Sequence, residues 1–249
     1  MAVLMLEIRL DSVRQYGDSR HAYDVLYSDQ NISQLESFYI WAAGLFDLPP
    51  GAKFLDVACG KGELAYWVRR EGAVGFGSDL SASAIQQGHE LFPNLPLAVA
   101  NGQNLPYSDN AFYAIGSMGS LEHYEDMAAG IQEMVRVVKP YGWVYILVPN
   151  IYSLLTNVLA AYRTGRTCLD NQPIQRYAAR LEWQDLLQDN GLIVRHTIKY
   201  ERVWPRTWAD GKWYLQHPKE LIRLFLQFAI PLDLSFSFVF FCQKAEGSK

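Results

Sequence analysis

The chain has 249 residues, half of them hydrophobic, with a net charge of −4 and a pI near 5.7. That length buries one sizeable core without a second domain, and the acidic balance argues against nucleic acid as a partner. Cys59, Cys168 and Cys242 show neither paired nor metal-ligand spacing, so we predict reduced thiols in a cytoplasm and no metal site.

The N-terminus has a short apolar run but no basic region before it and no cleavage signature. No apolar run approaches the ~20 residues that a membrane span needs. We therefore predict neither a signal peptide nor a transmembrane segment. Residues 1–48 form a predicted N-terminal helical segment, with an apolar helical stripe over 32–47 that Pro49, Pro50 and Gly51 end.

From residue 50 onward, predicted strands and helices alternate. The predicted strands are 54–57, 73–79, 97–100, 113–117, 143–148, 192–200 and 235–242. Predicted helices begin near 63 and after 81, cover 126–139, surround Trp183 and cover 218–229. Several strands are apolar on both faces, which predicts an α/β fold with a parallel sheet covered on both sides. No repeat or linker interrupts it, so 1–249 is predicted to be a single domain.

The stretch 54–64 reads FLDVACGKGEL, a strand, a tight turn of small residues and a helix start. Glycines in such a turn let backbone N–H groups approach a ligand where any Cβ would clash. The single G-x-G, Gly60 and Gly62, lacks the third glycine of the dinucleotide fingerprint, which disfavours an NAD-dependent enzyme. The plain alternative is an ordinary glycine-rich turn.

Polar residues follow the next predicted strands, where parallel sheets bind ligands. Asp79 ends the second strand, and its carboxylate can accept two hydrogen bonds from vicinal ribose hydroxyls. The alternative for Asp79 is a solvated residue at a helix entry. Asn101–Asn104 and Gly116–Asp126 follow the third and fourth strands.

These stretches resemble the class I S-adenosylmethionine (SAM)-dependent methyltransferases. The pattern hydrophobic-Asp-small-x-Gly-x-Gly is similar to their first motif, with Ala58 where the family normally has glycine. The loop from Asn101 resembles the family's loop after strand three, with Asn101 and Tyr113 in place of two aspartates. In the family the first aspartate accepts from the adenine amine, which implies the same role for the Asn101 amide oxygen. GSMGSLEHYED (116–126) is similar to the S-x-x-L-E-H stretch of the ubiquinone- and menaquinone-biosynthesis branch. The resemblance covers about residues 50–150, with a looser similarity over 182–194.

The resemblance implies a Rossmann-like, seven-stranded, mostly parallel sheet with the last strand antiparallel and helices on both faces. Insertions follow strand five, at 150–182, and strand six, at 201–233. It also implies SAM as cofactor, with S-adenosylhomocysteine as product. The cofactor-binding residues that it implies are Asp56, Ala58, Cys59, Gly60, Gly62, Asp79, Leu80, Asn101, Gly102, Gln103, Ser117, Met118 and Gly119.

His123 is the candidate catalytic base, because a neutral imidazole can take a proton near pH 7. The alternative is a histidine that hydrogen-bonds the helix start and shapes the pocket. Glu122 is interpreted as a carboxylate at a helix start rather than a proton acceptor.

Both insertions are expected over the active site, and long structured connections are usually functional. We expect Trp204, Trp208, Trp213 and Tyr214 to roof the acceptor pocket, with Tyr16 as a further substrate contact. An aromatic mini-core that only packs the insertion is the alternative. The apolar helix 218–229 is expected to pack deep against the body of the protein. The alternatives are that it lines a substrate tunnel, forms a homodimer contact or touches a membrane surface. Its basic residues are too sparse for an electrostatic membrane anchor.

The sequence thus favours a SAM-dependent methyltransferase that acts on a small, apolar or natural-product-like acceptor. The alternative is a SAM-binding or scaffolding protein of the same fold without transfer activity. The identity of the acceptor and its nucleophilic atom stay open.

Overall fold

The computed structural model describes residues 5–9, 19–29, 33–168 and 172–245. Its strands are β1 Leu6–Arg9, β2 Lys53–Val57, β3 Val74–Asp79, β4 Leu97–Val99, β5 Phe112–Met118, β6 Val138–Pro149, β7 Ile174–Tyr177, β8 Leu192–Tyr200 and β9 Ser237–Lys244. Its α-helices are α1 Ser19–Asp29, α2 Glu36–Leu45, α3 Glu63–Arg70, α4 Ala82–Leu91, α5 Met127–Val137, α6 Leu159–Thr164, α7 Arg180–Asp189, α8 Trp208–Gln216 and α9 Pro218–Leu226.

Seven strands form the main sheet in the order β4-β3-β2-β5-β6-β9-β8. The strands from β4 to β6 run parallel, and β9 runs antiparallel to both β6 and β8. The predicted α/β sheet with an antiparallel last strand is therefore confirmed. The strand order reverses between β2 and β5, and a crevice for ligands opens at such a reversal, beyond the carboxyl ends of the strands.

The main sheet has a hydrophobic core on each face. Successive residues of a strand point to opposite faces, which explains why these strands are apolar throughout. Leu55 packs in a cluster with α5 and α7, whereas its neighbour Phe54 packs in a second cluster with α2 and α3. Trp183, fully buried, anchors α7 to the first cluster.

Strand β6 begins earlier than the predicted strand 143–148 and includes the turn-forming sequence Pro140-Tyr141-Gly142. The strand starts at Val138, directly after α5, and its register with β5 shifts between Phe112 and Ala114. Tyr141 takes a left-handed conformation there, with φ of 62°. The Pro-Tyr-Gly sequence thus makes an irregularity near the start of a central strand rather than a break before it.

A second, two-stranded sheet was not predicted. Strand β1, near the start of the chain, pairs antiparallel with β7, which lies inside the insertion 150–182. Residues 154–164 of that insertion form a π-helical turn followed by α6. Sequence periodicity misses β1 and β7 because each has only four residues.

The insertion 201–233 contains α8, α9 and a 3₁₀ turn, Gln227–Ala229. Asp210 of α8 fixes this insertion to the body by accepting hydrogen bonds from the backbone and the hydroxyl of Ser37, at 2.7 and 2.5 Å. The expectation that 218–229 packs deep is wrong, because Leu224 is the one residue of α9 that is buried. Among the described residues, no helix has the length and apolarity to cross a membrane.

Candidate functional site

The turn between β2 and α3 winds through left-handed backbone conformations at alternate residues. The φ angles are 57° at Ala58, 56° at Gly60 and 88° at Gly62. A Cβ on Gly60 would lie 2.9 Å from the hydroxyl of Tyr27, so the Tyr27 side chain would have to shift. The amides of Gly60 and Gly62 bond within the site, to Asp79 and to the carbonyl of Cys59. These bonds hold the turn in one shape beneath the crevice.

Asp79 stands where β3 ends and is only 6% exposed. Its Oδ2 accepts from the backbone of Gly60 at 2.8 Å, and its Oδ1 accepts from the backbone of Ser81 at 2.9 Å. Burial raises the pKa of this carboxyl to about 6, against the lowering effect of those two bonds. Each oxygen keeps a second lone pair for an acceptor role, and the residue borders the crevice.

The crevice at the strand reversal has a volume of about 770 Å³, part of it open to solvent. Seven predicted cofactor residues border it: Ala58, Asp79, Leu80, Asn101, Gly102, Gln103 and Gly119. The other predicted ones lie behind its wall or beside it: Asp56, Cys59, Gly60, Gly62, Ser117 and Met118. Asp56, Cys59 and Ser117 are buried in the strand ends and turns.

The loop after β4 is closed by its own side chains. Asn101 Oδ1, the expected acceptor for a cofactor amine, accepts from the backbone of Gln103 at 2.9 Å. Gln103 in turn accepts from the backbone of Asp126 at 2.9 Å. A Cβ on Gly102 would lie 2.2 Å from the Tyr124 hydroxyl, so only glycine allows that close approach. The loop is thereby fixed against the turn that carries His123.

His123 has a defined tautomer. Its Nδ1 lies 2.5 Å from the backbone carbonyl oxygen of Ile174 in β7. A carbonyl can only accept, so Nδ1 carries a proton, and in the neutral ring Nε2 holds the lone pair. The Oε1 of Glu122 lies 3.8 Å from that Nε2. The imidazole is therefore oriented as a proton acceptor at Nε2 by a strand that sequence analysis did not detect.

A second cavity, which we call the acceptor cavity, adjoins the crevice. It has a volume of about 1150 Å³, open in part to solvent, and shares Gly119, His123 and Gln172 with the crevice. The remaining lining is Gln34, Phe38, Met118, Glu122, Leu147, Pro149, Asn150, Thr156, Asn157, Cys168, Tyr177, Tyr200, Arg202, Phe236 and Ser237. Its walls come from the ends of β5, β6 and β8 and from the insertion 150–182, as the strand directions require.

Several functional candidates were missed by sequence analysis. Tyr23 and Tyr27 of α1 border the crevice. Their four-residue spacing places both on one face of a helix, a signal that was present in the sequence. Tyr124 also borders the crevice, and its buried hydroxyl lies against Gly102.

Arg176 of β7 is a further residue that sequence analysis missed. It is 4% exposed, donates to the carbonyls of Glu122, Tyr124 and Glu125, and pairs with Glu7 at 2.7 Å. Its guanidinium thus ties β1 and β7 to the turn that presents His123. No local sequence pattern marks it, because each of its partners is at least 51 residues away.

The tryptophans of the insertion 201–233 lie apart from the acceptor cavity. Trp208 is 90% exposed, and Trp204 is 45% exposed and contacts Phe225. Trp213 stacks on His217 and, with Tyr214, lines a third cavity that shares Gln34, Phe38, Tyr200 and Arg202 with the acceptor cavity. Tyr16 lies outside the described residues. Of the four residues expected to roof the acceptor pocket, Trp213 and Tyr214 lie in the cavity beside it, and Trp204 and Trp208 do not.

Comparison with known proteins bears on the central part of the chain. Residues 55–146 match the family described as Methyltransferase domain. The demethylmenaquinone methyltransferase of Corynebacterium kroppenstedtii is 38% identical over 96 residues, 39% of this chain and 41% of that protein. The methyltransferase GfsG of Streptomyces halstedii is 29% identical over 147 residues, 55% of this chain and 53% of that protein. The chain thus spans about half the length, or less, of these curated relatives.

Among solved structures, the complex between the Haloferax volcanii Trm112 methyltransferase activator and a methyltransferase is similar, with a TM-score of 0.66 at 18% identity. The likeness covers 90% of this chain and 98% of that one. At such low identity it shows the fold alone.

The matched region runs from β2 to β6 and contains the glycine turn, Asp79, the loop after β4 and the turn with His123. The recognition made from these motifs is confirmed, and SAM, with S-adenosylhomocysteine as product, is the cofactor of this class of domain. Residues 55–146 therefore match the methyltransferase domain family, and their motifs are those of the class I SAM-dependent type.

Proposed function

We propose that the protein transfers the methyl group of SAM to a small acceptor with an apolar body, held in the acceptor cavity. The observation that carries this proposal is the shared boundary of crevice and acceptor cavity at Gly119, His123 and Gln172. A cofactor in the crevice and an acceptor in the second cavity would meet there. We also propose a cytoplasmic location, from the unpaired cysteines.

The residues of the crevice fit the cofactor. Asp79 offers lone pairs at the end of β3 for ribose hydroxyls, and Gly102 leaves space that a Cβ would fill. The left-handed turn at Ala58 keeps side chains out of the floor of the crevice. When bound, SAM supplies a methyl group already activated by its sulfonium.

The chain's own part in the reaction is alignment, exclusion of water and proton removal. Holding two reactants in line contributes about 7–11 kcal/mol to lowering a barrier, more than one base supplies. The Nε2 atom of His123 takes the proton that the methylated substrate loses, since its Nδ1–H donates to the carbonyl of Ile174. α1 covers the crevice with Tyr23 and Tyr27, which shields the reacting groups from solvent.

The lining of the acceptor cavity supports a flat, apolar acceptor with one polar end. Phe38, Tyr200 and Phe236 supply aromatic surface, and Arg202 is the cation among the described lining residues. A guanidinium suits a carbonyl, hydroxyl or carboxylate oxygen. We propose a quinone-like or natural-product-like acceptor; the demethylmenaquinone methyltransferase named above supports the first class by similarity.

A second candidate is a SAM-binding protein without transfer activity. One observation favours it: Asn101 and Tyr113 stand where the pattern of the active methyltransferases has aspartates. The two candidates differ in turnover, which a direct assay measures.

The test is a methylation assay on the purified protein with SAM and a panel of hydroxylated quinones and phenols, read by mass spectrometry. We expect methylated product, and about 100-fold slower turnover for His123→Ala with SAM affinity by calorimetry within about twofold. His89→Ala, at an exposed histidine of α4, is the matched control and should be unaffected. SAM binding without any product favours the second candidate. A His123→Ala variant with an unchanged pH profile of kcat/KM removes His123 from the role of base.

A further inference from the structure

The outer surface of the insertion 201–233 carries a concentration of exposed apolar side chains. Seven of the eighteen exposed large hydrophobic residues in the described chain fall within residues 204–228. We call these seven the apolar ridge: Trp204, Trp208, Leu215, Ile222, Phe225, Leu226 and Phe228. Single exposed hydrophobic residues are ordinary, whereas a contiguous set marks an interaction surface.

The ridge residues lie on and around two helices that contact each other. Ile222, Phe225 and Leu226 stand three and four residues apart, so they share one face of α9. The ring of Trp204 packs edge-on against Phe225, with centroids 5.3 Å apart. Trp208 and α8 follow directly, and α8 contacts α9.

The exposed charges within the ridge segment have one sign. Arg206, Lys212 and Lys219 are exposed, and no acidic side chain of residues 204–228 is. Asp210 is buried on Ser37, and Glu220 is paired with Arg202 at 2.7 Å. Because the whole chain has a net charge of −4, the positive charge of this aromatic surface is a local feature and does not follow from overall composition.

We propose that the apolar ridge docks on the surface of an anionic phospholipid bilayer. Tryptophan and phenylalanine side chains enter the boundary between headgroups and acyl chains, while lysine and arginine reach the lipid phosphates. A second copy of the chain is a poorer occupant. A two-fold interface places the same patch on both sides, so Arg206, Lys212 and Lys219 would face their own copies.

The position of the ridge links it to the acceptor cavity. Trp213 and Tyr214, also on α8, line the third cavity, which shares Phe38, Tyr200 and Arg202 with the acceptor cavity. An apolar acceptor could pass from lipid into the protein beside α8. This consequence rests on the proposed function, whereas the docking itself does not.

Sedimentation with vesicles tests the docking. The full chain is mixed with vesicles of phosphatidylcholine, or of phosphatidylcholine and phosphatidylglycerol in equal parts, at low and high salt. We expect binding to the anionic vesicles that weakens with salt. Phe225→Ser/Phe228→Ser should weaken it about tenfold or more, and Trp208→Ser, at a side chain without a folding role, should weaken it as well.

A charge-matched pair separates local from global electrostatics. Lys212→Glu/Lys219→Glu should weaken binding at least about twentyfold, since each basic residue near an anionic surface contributes about fivefold. Lys53→Glu/Lys139→Glu makes the same change in net charge at exposed sites near the amino ends of β2 and β6. This variant should bind within about twofold of the native protein. Calorimetry with SAM and circular dichroism confirm that each variant is folded.

Three outcomes overturn the proposal. The protein does not sediment with anionic vesicles, the two double charge variants lose vesicle binding equally, or all variants bind vesicles as well as the native protein. Light scattering that shows a dimer, which Phe225→Ser/Phe228→Ser converts to monomers, assigns the ridge to a second copy instead. Methylation of a soluble acceptor is measured alongside. Its absence would contradict the proposed function without affecting the docking result.

Discussion

At the scale of single residues, Ala58 is in a backbone conformation that favours glycine. Its φ of 57° costs an L-residue about 1–2 kcal/mol. The methyltransferase resemblance places glycine at this position, and the structure supplies the reason. Ala58 also borders the crevice, where a larger side chain would fill space needed by a ligand.

Ala58→Gly should therefore stabilise the protein slightly. Relief of the strain exceeds the backbone entropy cost of glycine, leaving a gain of about 0.5 kcal/mol in the free energy of unfolding. Gly60→Ala should cost about 2 kcal/mol, because it adds the same strain and a contact with the Tyr27 hydroxyl. Urea unfolding measures both. A destabilised Ala58→Gly would contradict the explanation.

Asp79 should make both stability and cofactor binding depend on pH. Its folded-state pKa of about 6 lies above the usual 3.8, so the folded protein holds this proton longer than the unfolded chain. Stability therefore falls as pH rises from about 4 to 6, by about 3 kcal/mol from this group. Cofactor affinity should change in the opposite sense, since the ionised carboxylate is the better acceptor for ribose hydroxyls.

Asp79→Asn isolates this effect. The variant should show a shallower pH dependence of unfolding between pH 4 and 6, and about tenfold weaker cofactor binding at neutral pH. Denaturant titration and calorimetry at several pH values measure the two. Parallel pH curves for the native and variant proteins would show that the Asp79 proton is not the cause.

At the scale of elements, the turn that presents His123 depends on the small sheet of β1 and β7. Ile174 fixes the tautomer of His123, and Arg176 satisfies three carbonyls of the same turn. Four-residue strands are marginal alone. Their position is stabilised by the buried guanidinium and its ion pair with Glu7.

Arg176→Ala should destabilise the protein by about 3 kcal/mol, because it leaves buried carbonyls without donors. As a positioning residue, Arg176 should also affect kcat more than the KM for SAM, and Arg176→Lys should restore part of kcat. The matched control is Arg180→Ala, whose partner Asp233 is largely exposed; it should cost about 0–1 kcal/mol. Equal effects of the two alanine variants on kcat would remove Arg176 from a positioning role.

At the scale of the whole molecule, segments far apart in sequence converge on the carboxyl edge of the sheet. α1, the turn after β2, the loop after β4 and residue Gln172 all border the crevice. A ligand that contacts all of them adds its binding free energy to folding.

S-adenosylhomocysteine at a hundred times its Kd should raise the free energy of unfolding by about 2.7 kcal/mol. Hydrogen exchange should slow in α1 as well as in the loop after β4, since Tyr23 and Tyr27 border the crevice. NAD at the same concentration should change neither. Equal stabilisation by NAD, or no added protection of α1, would contradict this description of the crevice.

Much of the fold follows from the sequence because its signals are local. Apolar strands, the Gly60–Gly62 turn and the helix start after residue 81 were each predictable from a few neighbouring residues, and the structure has all three. Asp79 was predictable as a crevice residue because parallel strands bring their carboxyl ends together.

Tertiary structure alone decided the rest, because it depends on contacts between distant residues. The pairing of β1 with β7 joins residues about 170 positions apart, and with it come the tautomer of His123 and the burial of Arg176. The direction in which α9 turns its apolar face is equally non-local. Periodicity shows that such a face exists, but only packing against the body decides that Leu224 is buried and Phe225 meets solvent.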